Sequence, residues 1–238
     1  MNIRIGTRGS PLALAQAREV QSKLAEALNA PRDNFPIVEI KTSGDKILDR
    51  PLSEVGGKGL FTKEIEEALY ARTVDIAVHS MKDLETVMPP GLEIGAVLPR
   101  EDVRDAFISL KYPSLAEVPK GARVGTSSLR RRAQLRHVRP DLEVVEFRGN
   151  VQTRLRKLED GIADATFLAC AGLNRLGQAE RITSPIATTE MLPAVAQGAI
   201  AIQMRVGDGD IIAALRRLDH APTRTCVDIE RAFLRELD

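Results

Sequence analysis

Short apolar runs alternate with helix-forming segments along most of this 238-residue chain, and this alternation constrains the fold more than any other feature. Residues 3–5, 74–78 and 164–169 have the length and composition of strands, and stretches with apolar residues three or four positions apart follow them. The pattern predicts α/β architecture with mostly parallel sheets. Apolar residues form 43% of the chain, enough for a buried core, and no apolar run approaches the ~20 residues of a membrane span.

Two interruptions of the alternation predict domain boundaries. Charge and proline separate two strands at residues 99–102, and a second crossing falls at residues 193–198. We therefore expect two lobes joined by a double hinge, with residues 1–98 and 196–217 in lobe 1 and residues 99–195 in lobe 2. Residues 218–238 carry a helical apolar stripe, Ile229, Phe233 and Leu237, and we expect them to open a third domain.

Positive charge is concentrated between residues 123 and 157. That segment has ten cationic and three acidic residues, a formal charge of +7, whereas the whole chain has a net charge of +1. Such a concentration indicates one anion-binding face. A nucleic-acid binder is one alternative, but the near-neutral chain has only six Phe, two Tyr and no Trp, too few for a base-stacking surface.

Three clusters in the first half of the chain carry candidate ligand-binding residues. Arg8 and Ser10 lie between a strand and a helix, where backbone N–H groups favour an anion, although an ordinary turn is the alternative. Lys58 lies among three glycines, in either a mobile anion-binding loop or a plain connector. Ser80, Lys82 and Asp83 follow a buried strand, where ligands bind in parallel sheets. Their alternative is a Lys–Asp ion pair beside a hydrogen-bonded histidine.

Two further clusters lie in the cationic segment. Thr126, Ser127 and Ser128 precede a helix whose first turn contains Arg130 and Arg131. Cations at a helix N-terminus oppose the helix dipole, which indicates a bound anion. The other cluster contains Arg148, Gly149 and Arg154, and the arginine fork suits carboxylates and phosphates. Together the five clusters predict a cleft that binds a molecule with several acidic groups.

The sequence resembles the porphobilinogen deaminase, or hydroxymethylbilane synthase, family. The matching stretches are residues 7–14, 55–61, 75–83, 124–131, 147–150, 169–177 and 192–198. The resemblance implies two periplasmic-binding-protein-like lobes and an α+β third domain. It implies a transferase of tetrapyrrole (haem) biosynthesis that condenses four porphobilinogen molecules head to tail, with release of ammonia, to form hydroxymethylbilane. The product would grow on a dipyrromethane cofactor attached to a third-domain cysteine.

The resemblance also assigns roles to residues. Asp83 matches the catalytic aspartate, whose carboxylate would stabilise the positive charge left on the pyrrole when ammonia departs. Residues 55–61 match a mobile active-site loop, beside which Glu54 stands where some relatives have lysine. The residues that match contacts to substrate or cofactor carboxylates are Arg8, Ser10, Lys58, Ser80, Lys82, Thr126, Ser127, Ser128, Arg130, Arg131, Arg148, Gly149, Arg154, Arg175 and Gln197.

The residues around the two cysteines lead to a further prediction, which concerns cofactor attachment. Neither Cys170 nor Cys226 lies in the glycine-glycine-cysteine context in which the family attaches dipyrromethane, and the two cysteines form no metal-binding pattern. We therefore expect a chain truncated before that cysteine, and inactive or nearly so. We also expect a cytoplasmic monomer that binds porphobilinogen, without nucleic-acid, membrane or metal partners. A binding protein for a polycarboxylated small molecule is the alternative function.

Overall fold

A computed structural model describes residues 1–46 and 59–237 of the chain. The chain divides into two compact units: unit 1 comprises Met1–Glu101 and Val195–Asp238, and unit 2 comprises Asp102–Ala194. Each unit contains a five-stranded sheet. None of the described helices combines the length and hydropathy needed to cross a membrane.

Regular elements alternate along the described residues as the sequence pattern predicts. The strands are β1 (Ile5–Arg8), β2 (Ile37–Ile40), β3 (Ile76–Ser80), β4 (Leu92–Val97), β5 (Asp105–Ser109), β6 (Arg123–Gly125), β7 (Glu143–Val145), β8 (Ala165–Ala169), β9 (Ser184–Pro185) and β10 (Ile200–Arg205). The helices are α1 (Pro11–Ala27), α2 (Ser43–Lys46), α3 (Lys63–Tyr70), α4 (Leu129–Val138), α5 (Val151–Glu159), α6 (Cys170–Arg175), α7 (Gly209–Leu215) and α8 (Ala221–Leu237).

The sheet of unit 1 has the strand order β2-β1-β3-β10-β4. β1 pairs in parallel with both β2 and β3, whereas β10 is antiparallel to β3 and β4. Four strands therefore run in one direction, which confirms the prediction of a mostly parallel sheet. Because β1 and β3 are parallel neighbours, their carboxyl ends, Arg8 and Ser80, lie at the same edge of the sheet.

Helix α1 covers one face of this sheet. The Ser10 side chain caps it by accepting the Ala13 N–H at 3.3 Å, and Pro11 supplies a preset φ at the first helical position. Val20 and Leu24, four positions apart, are buried against the Ile3 and Ile5 side of the core. Burying each such side chain contributes about 1.5–3 kcal/mol.

The sheet of unit 2 has the order β7-β6-β8-β5-β9, with β5 antiparallel to both of its neighbours. Consecutive residues of β5 face opposite sides: Ile108 packs in one core cluster and Phe107 in another. Phe107 packs against Phe167 of β8 with ring centroids 6.3 Å apart. Both faces of this sheet are therefore covered, as the apolar runs predict.

Helix α8 packs on unit 1 through one face. Thr223, Val227 and Arg231 are buried, whereas the predicted apolar stripe lies on the exposed face, where Ile229 and Phe233 are each 65% exposed. The Arg231 guanidinium donates hydrogen bonds to the carbonyls of Leu84 and Glu85. The assignment of residues 218–238 to a third domain stays a prediction.

We predict that Gly125→Ala destabilises unit 2 by about 1–3 kcal/mol, because an added Cβ would lie 2.4 Å from Cγ of the buried Phe147 ring. Urea unfolding followed by circular dichroism measures the change. Gly209→Ala is the control: its added Cβ meets nothing within 4 Å, so we expect unchanged or slightly higher stability. Equal stability of Gly125→Ala and the unsubstituted chain would refute this account of the packing.

Candidate functional site

A cavity opens where β1 and β3 end; we call it the unit-1 cavity. The empty space at this cavity, including open solvent at its mouth, amounts to about 440 Å³. Four residues predicted from separate sequence clusters, Arg8, Ser10, Ser80 and Asp83, line it together. Its lining comprises Arg8, Ser10, Leu12, Ala13, Gln16, Phe61, Thr62, Val78, His79, Ser80 and Asp83.

Two contacts hold the polar groups of the unit-1 cavity in place. The Arg8 guanidinium lies over the Phe61 ring, 4.2 Å from its centroid, in a cation–π contact that orients the guanidinium plane. The Gln16 amide donates to Ser80 Oγ at 2.9 Å. Gln16 was not predicted, although the sequence signal exists: a polar residue interrupts the stripe of Leu12, Val20 and Leu24 at the same four-residue spacing.

Asp83 lies at the end of a short 3-10 helix, Met81–Asp83, that directly follows β3. Its side chain is exposed, while Met81 is buried and donates its N–H to the Ala199 carbonyl at 3.0 Å. The hydrogen bonds from Arg231 to the next two carbonyls fix the other side of the segment. The backbone around Asp83 is therefore held from both sides while its carboxylate remains accessible.

Lys82 and Gln197, which the resemblance assigns to carboxylate binding, lie within hydrogen-bond distance of each other. Lys82 Nζ donates to Gln197 Oε1 at 3.3 Å. The Gln197 side chain is fully buried, and its backbone carbonyl accepts a hydrogen bond from Arg100 Nε at 2.8 Å. The predicted cluster after β3 is thus connected to the chain segment that precedes β10.

A series of hydrogen-bonded polar side chains begins at His79 in the cavity lining and continues through Gln203 to Glu66. His79 Nε2 is 3.0 Å from Gln203 Oε1, and Gln203 Nε2 donates to Glu66 Oε1 at 3.0 Å. Burial, assisted by the charge of Arg8, lowers the pKa of His79 to about 4 against the opposing effect of the Gln203 contact. Burial raises the pKa of Glu66, and the nearby Glu85 adds to this effect, while the Gln203 hydrogen bond opposes it. Gln203 and Glu66 were not predicted from the sequence.

In unit 2, the predicted hydroxyl residues shape the turn that opens α4. Ser128 accepts the Arg131 N–H at 3.4 Å as the helix cap, and Thr126 Oγ1 accepts the Ser128 N–H at 3.2 Å. Ser127 Oγ accepts the Phe147 N–H at 3.1 Å. Each hydroxyl accepts one backbone N–H and retains its own O–H to donate.

Asp105 is an anion that the sequence analysis did not anticipate at the start of α4. Its fully buried carboxylate lies 2.7 Å from Arg130 Nη1 through one oxygen and 2.7 Å from Arg131 Nη2 through the other. Arg131 also donates to the Phe167 carbonyl at 2.9 Å. Burial alone would raise the pKa of Asp105, but the two guanidinium groups outweigh it and lower the pKa to about 2. Asp105 therefore provides, from within the chain, the anion that compensates the two arginines at the start of α4.

Gly149 allows the tight turn that precedes α5. It has φ +122°, and an added Cβ would lie 2.5 Å from Thr153 Cγ2. Arg154 Nε donates to the Gly149 carbonyl at 2.8 Å, and Lys157 Nζ donates to the Arg148 carbonyl at 3.0 Å. The predicted fifth cluster is therefore one compact turn.

The remaining predicted residues lie apart from these clusters or outside the described part of the chain. Arg175 is half-buried at the end of α6. Part of the positive segment is neutralised locally, since Arg132 pairs with Glu146 at 2.9 Å and Arg139 with Asp141 at 2.7 Å.

Lys58 and Glu54 lie outside the described residues, as does most of the predicted loop at 55–61. The described residues contain no group of three or more His, Cys, Asp or Glu side chains able to hold a metal ion.

The two cysteines differ in their surroundings. Cys170 is buried at the start of α6, and burial raises the pKa of its thiol to about 11, with the charge of Asp102 adding to the effect. Cys226 is exposed on α8. Thiolate chemistry at Cys170 is therefore suppressed.

Comparisons with known proteins match the sequence motifs. The family model described as "Porphobilinogen deaminase, dipyromethane cofactor binding domain" matches residues 3–213. A porphobilinogen deaminase of Paracoccus denitrificans is 58% identical over 236 residues, which cover 99% of this chain and 75% of the relative. The chloroplastic porphobilinogen deaminase of Oryza sativa subsp. japonica is 58% identical over 238 residues, which cover 99% of this chain and 66% of the relative.

Solved structures share the fold. A methionine-binding lipoprotein from Bacillus subtilis aligns with a TM-score of 0.54 at 16% identity, covering 94% of this chain and 92% of that one. A periplasmic substrate-binding protein of an ABC transporter from Coxiella burnetii aligns with a TM-score of 0.55 at 14% identity, covering 96% of each chain. The prediction of periplasmic-binding-protein-like α/β lobes is confirmed.

We predict that Asp105→Asn lowers the unfolding free energy by about 3 kcal/mol at pH 7, because it removes the charge that compensates buried Arg131. A carboxylate with a depressed pKa contributes stability that is present above about pH 4 and is lost as pH falls towards 2. The substitution should therefore also flatten the pH dependence of stability in that range. Urea unfolding between pH 7 and pH 2 measures both effects.

The control for this prediction is Glu146→Gln. It removes the partner of Arg132 from an exposed pair whose arginine lies on α4, the helix that carries Arg130 and Arg131, so we expect a loss below about 1 kcal/mol. If Asp105→Asn cost no more than this control, Asp105 would not be the internal anion of the site.

Proposed function

This chain belongs to the porphobilinogen deaminase family, and we propose that it forms the substrate-binding and cofactor-binding lobes of an enzyme of tetrapyrrole synthesis. The reaction condenses four porphobilinogen molecules head to tail, releases ammonia at each step and gives hydroxymethylbilane. The observation that carries the proposal is the shared lining of the unit-1 cavity by Asp83, Arg8, Ser10 and Ser80. The identity of 58% to porphobilinogen deaminases supports it.

The proposed substrate fits the charges of this cavity. Porphobilinogen carries two carboxylates and an aminomethyl group on a pyrrole ring. Arg8 offers its planar fork to a carboxylate, and Ser10, at the N-terminus of α1, adds a hydroxyl donor where the helix dipole favours an anion. Lys82, held near Gln197, extends the donor set. These groups orient the ring with its aminomethyl carbon near Asp83.

Asp83 then acts on the charge that develops during reaction. The aminomethyl group reacts in its protonated, ammonium form: the carbon–nitrogen bond breaks, the departing ammonia keeps the electron pair, and the positive charge passes to the pyrrole. The Asp83 carboxylate accepts the pyrrole N–H and stabilises that cation. A carbon–carbon bond forms when the next pyrrole carbon attacks, and loss of a proton from the attacked ring restores aromaticity, with Asp83 placed to assist.

The donors of unit 2 fit a dipyrromethane, whose pyrroles carry carboxylates. Guanidinium groups and hydroxyls with free O–H protons are the donors that carboxylates prefer. We assign its binding to Thr126, Ser127, Ser128, Arg130, Arg131, Arg148, Arg154 and Arg175. When bound, the dipyrromethane supplies the pyrrole carbon to which the first substrate is joined.

Neither cysteine of the sequence is suited to carry that group. The Cys170 thiol is buried and its pKa is raised to about 11, so it is a poor nucleophile, and Cys226 lies exposed on α8 without the family's glycine-glycine context. The 238-residue polypeptide by itself is therefore inactive or nearly so. A cytoplasmic monomer also stays a prediction, since the rice relative is described as chloroplastic.

We predict that Asp83→Asn, in this chain fused to the cysteine-bearing third domain of a relative and loaded with dipyrromethane, lowers kcat at least about a hundredfold and changes the Kd of porphobilinogen by less than about threefold. Ammonia release and porphyrin formed after acid oxidation measure turnover, and calorimetry measures binding. Asp33→Asn, at an exposed carboxylate outside the cavity lining, is the control and should leave both unchanged.

Three outcomes would contradict parts of the proposal. Undiminished turnover by Asp83→Asn removes Asp83 from the reaction. Tight binding of porphobilinogen with no turnover by the loaded protein favours a binding protein for polycarboxylated molecules. Product formed by the unloaded 238-residue polypeptide would overturn the statement on the cysteines.

A further inference from the structure

We infer that Glu66 and Gln203 fix the ring tautomer of His79, so that His79 Nδ1 faces the unit-1 cavity as a hydrogen-bond acceptor for an N–H group of the substrate. The choice of ligand rests on the proposed function, whereas the tautomer rests on the hydrogen bonds and the burial of His79. His79 is thereby a positioning residue in addition to the groups that bind carboxylates.

The direction of each hydrogen bond follows from the Glu66 end. A carboxylate oxygen accepts, so the Gln203 amide turns its NH₂ group towards Glu66, at 3.0 Å. The amide oxygen of Gln203 consequently faces His79 Nε2, also at 3.0 Å. An amide oxygen only accepts, so Nε2 must carry the proton.

The imidazole has no second proton. His79 is only 6% exposed, and burial together with the charge of Arg8 keeps it neutral at physiological pH. Arg8 and His79 share a face of the sheet, because Gly6 pairs with Ala77 and each residue lies two positions further along its parallel strand. A neutral ring protonated on Nε2 leaves a lone pair on Nδ1.

That lone pair has no protein donor within the described residues, where the hydrogen bonding of His79 is limited to Gln203. His79 nevertheless lines the cavity with Asp83, Ser80 and Arg8. The lining then offers two kinds of acceptor, the Asp83 carboxylate and the neutral Nδ1. Porphobilinogen presents two kinds of donor, the pyrrole N–H and the aminomethyl nitrogen, so the acceptors match the number of nitrogen donors.

Nitrogen-15 NMR of the histidine-labelled 238-residue chain at pH 7 tests the tautomer, because protonated and unprotonated ring nitrogens have well separated shifts. The signals of His79 are distinguished from those of His137 and His220 by their loss in His79→Phe. We expect a protonated Nε2 and an unprotonated Nδ1, and the Nδ1 signal should move when porphobilinogen is added. A protonated Nδ1 in the unsubstituted chain overturns the inference without any variant.

Gln203→Met has a similar volume but removes the hydrogen bonds of residue 203 to both His79 and Glu66. Glu66→Gln keeps the shape of the side chain, but its amide can donate as well as accept, so it no longer fixes the orientation of the Gln203 amide. We expect a mixture of tautomers in both and a Kd for porphobilinogen raised about tenfold in Gln203→Met, the effect of one hydrogen bond. Glu67→Gln, at the exposed neighbour, is the control and should change neither the spectrum nor the Kd.

The outcomes separate this inference from the proposed function. Porphobilinogen that binds equally well to the unsubstituted chain and to both variants, with His79 unperturbed, overturns the inference and leaves the proposed function standing. A His79 protonated on Nε2 in a chain that binds no porphobilinogen overturns the proposed function together with the ligand assigned to Nδ1.

Discussion

Neutralisation of clustered guanidinium groups is the physical constraint on which the fold of unit 2 depends. Cations at the first turn of a helix are unfavourable unless an anion lies near, and α4 begins with Arg130 and Arg131. The buried carboxylate of Asp105 meets both, so this part of the chain folds around an internal ion pair. Breaking such a pair leaves an uncompensated buried charge, which costs far more than loss of a surface pair.

In unit 1, strand ends bring the predicted polar residues together. The ends of parallel strands place Arg8 and Ser80 at one edge of the unit-1 sheet, and the turn after β3 adds Asp83. That turn is held on one side by the hydrogen bond that Arg231 donates to the Leu84 carbonyl. On the other side, the Met81 N–H donates to the Ala199 carbonyl. The proposed function assigns charge recognition to Arg8 and the chemistry to Asp83, so that one aspartate would serve repeated condensations.

The sequence predicts those parts of the structure that depend on local pattern. Alternating apolar runs predict the α/β units, and strand ends followed by polar residues predict the unit-1 cavity lining of Arg8, Ser10, Ser80 and Asp83. Buried polar partners are different, because contacts between residues distant in sequence create them: His79 meets Gln203 across 124 positions, and Arg131 meets Asp105 from a separate strand. No local periodicity encodes such pairs. The charge count of the cationic segment also overstates its capacity, since Arg132 and Arg139 are neutralised by nearby acids.

The central claim of the proposed function is that Arg8 and the other donors of the unit-1 cavity bind the carboxylates of porphobilinogen. Calorimetric comparison of porphobilinogen with its carboxyl diester, at the same pH and ionic strength, tests it most directly. Since each hydrogen bond to a charged group contributes about 1.5–3 kcal/mol, the diester should bind at least about tenfold more weakly. Equal affinity for the acid and the diester would contradict the claim.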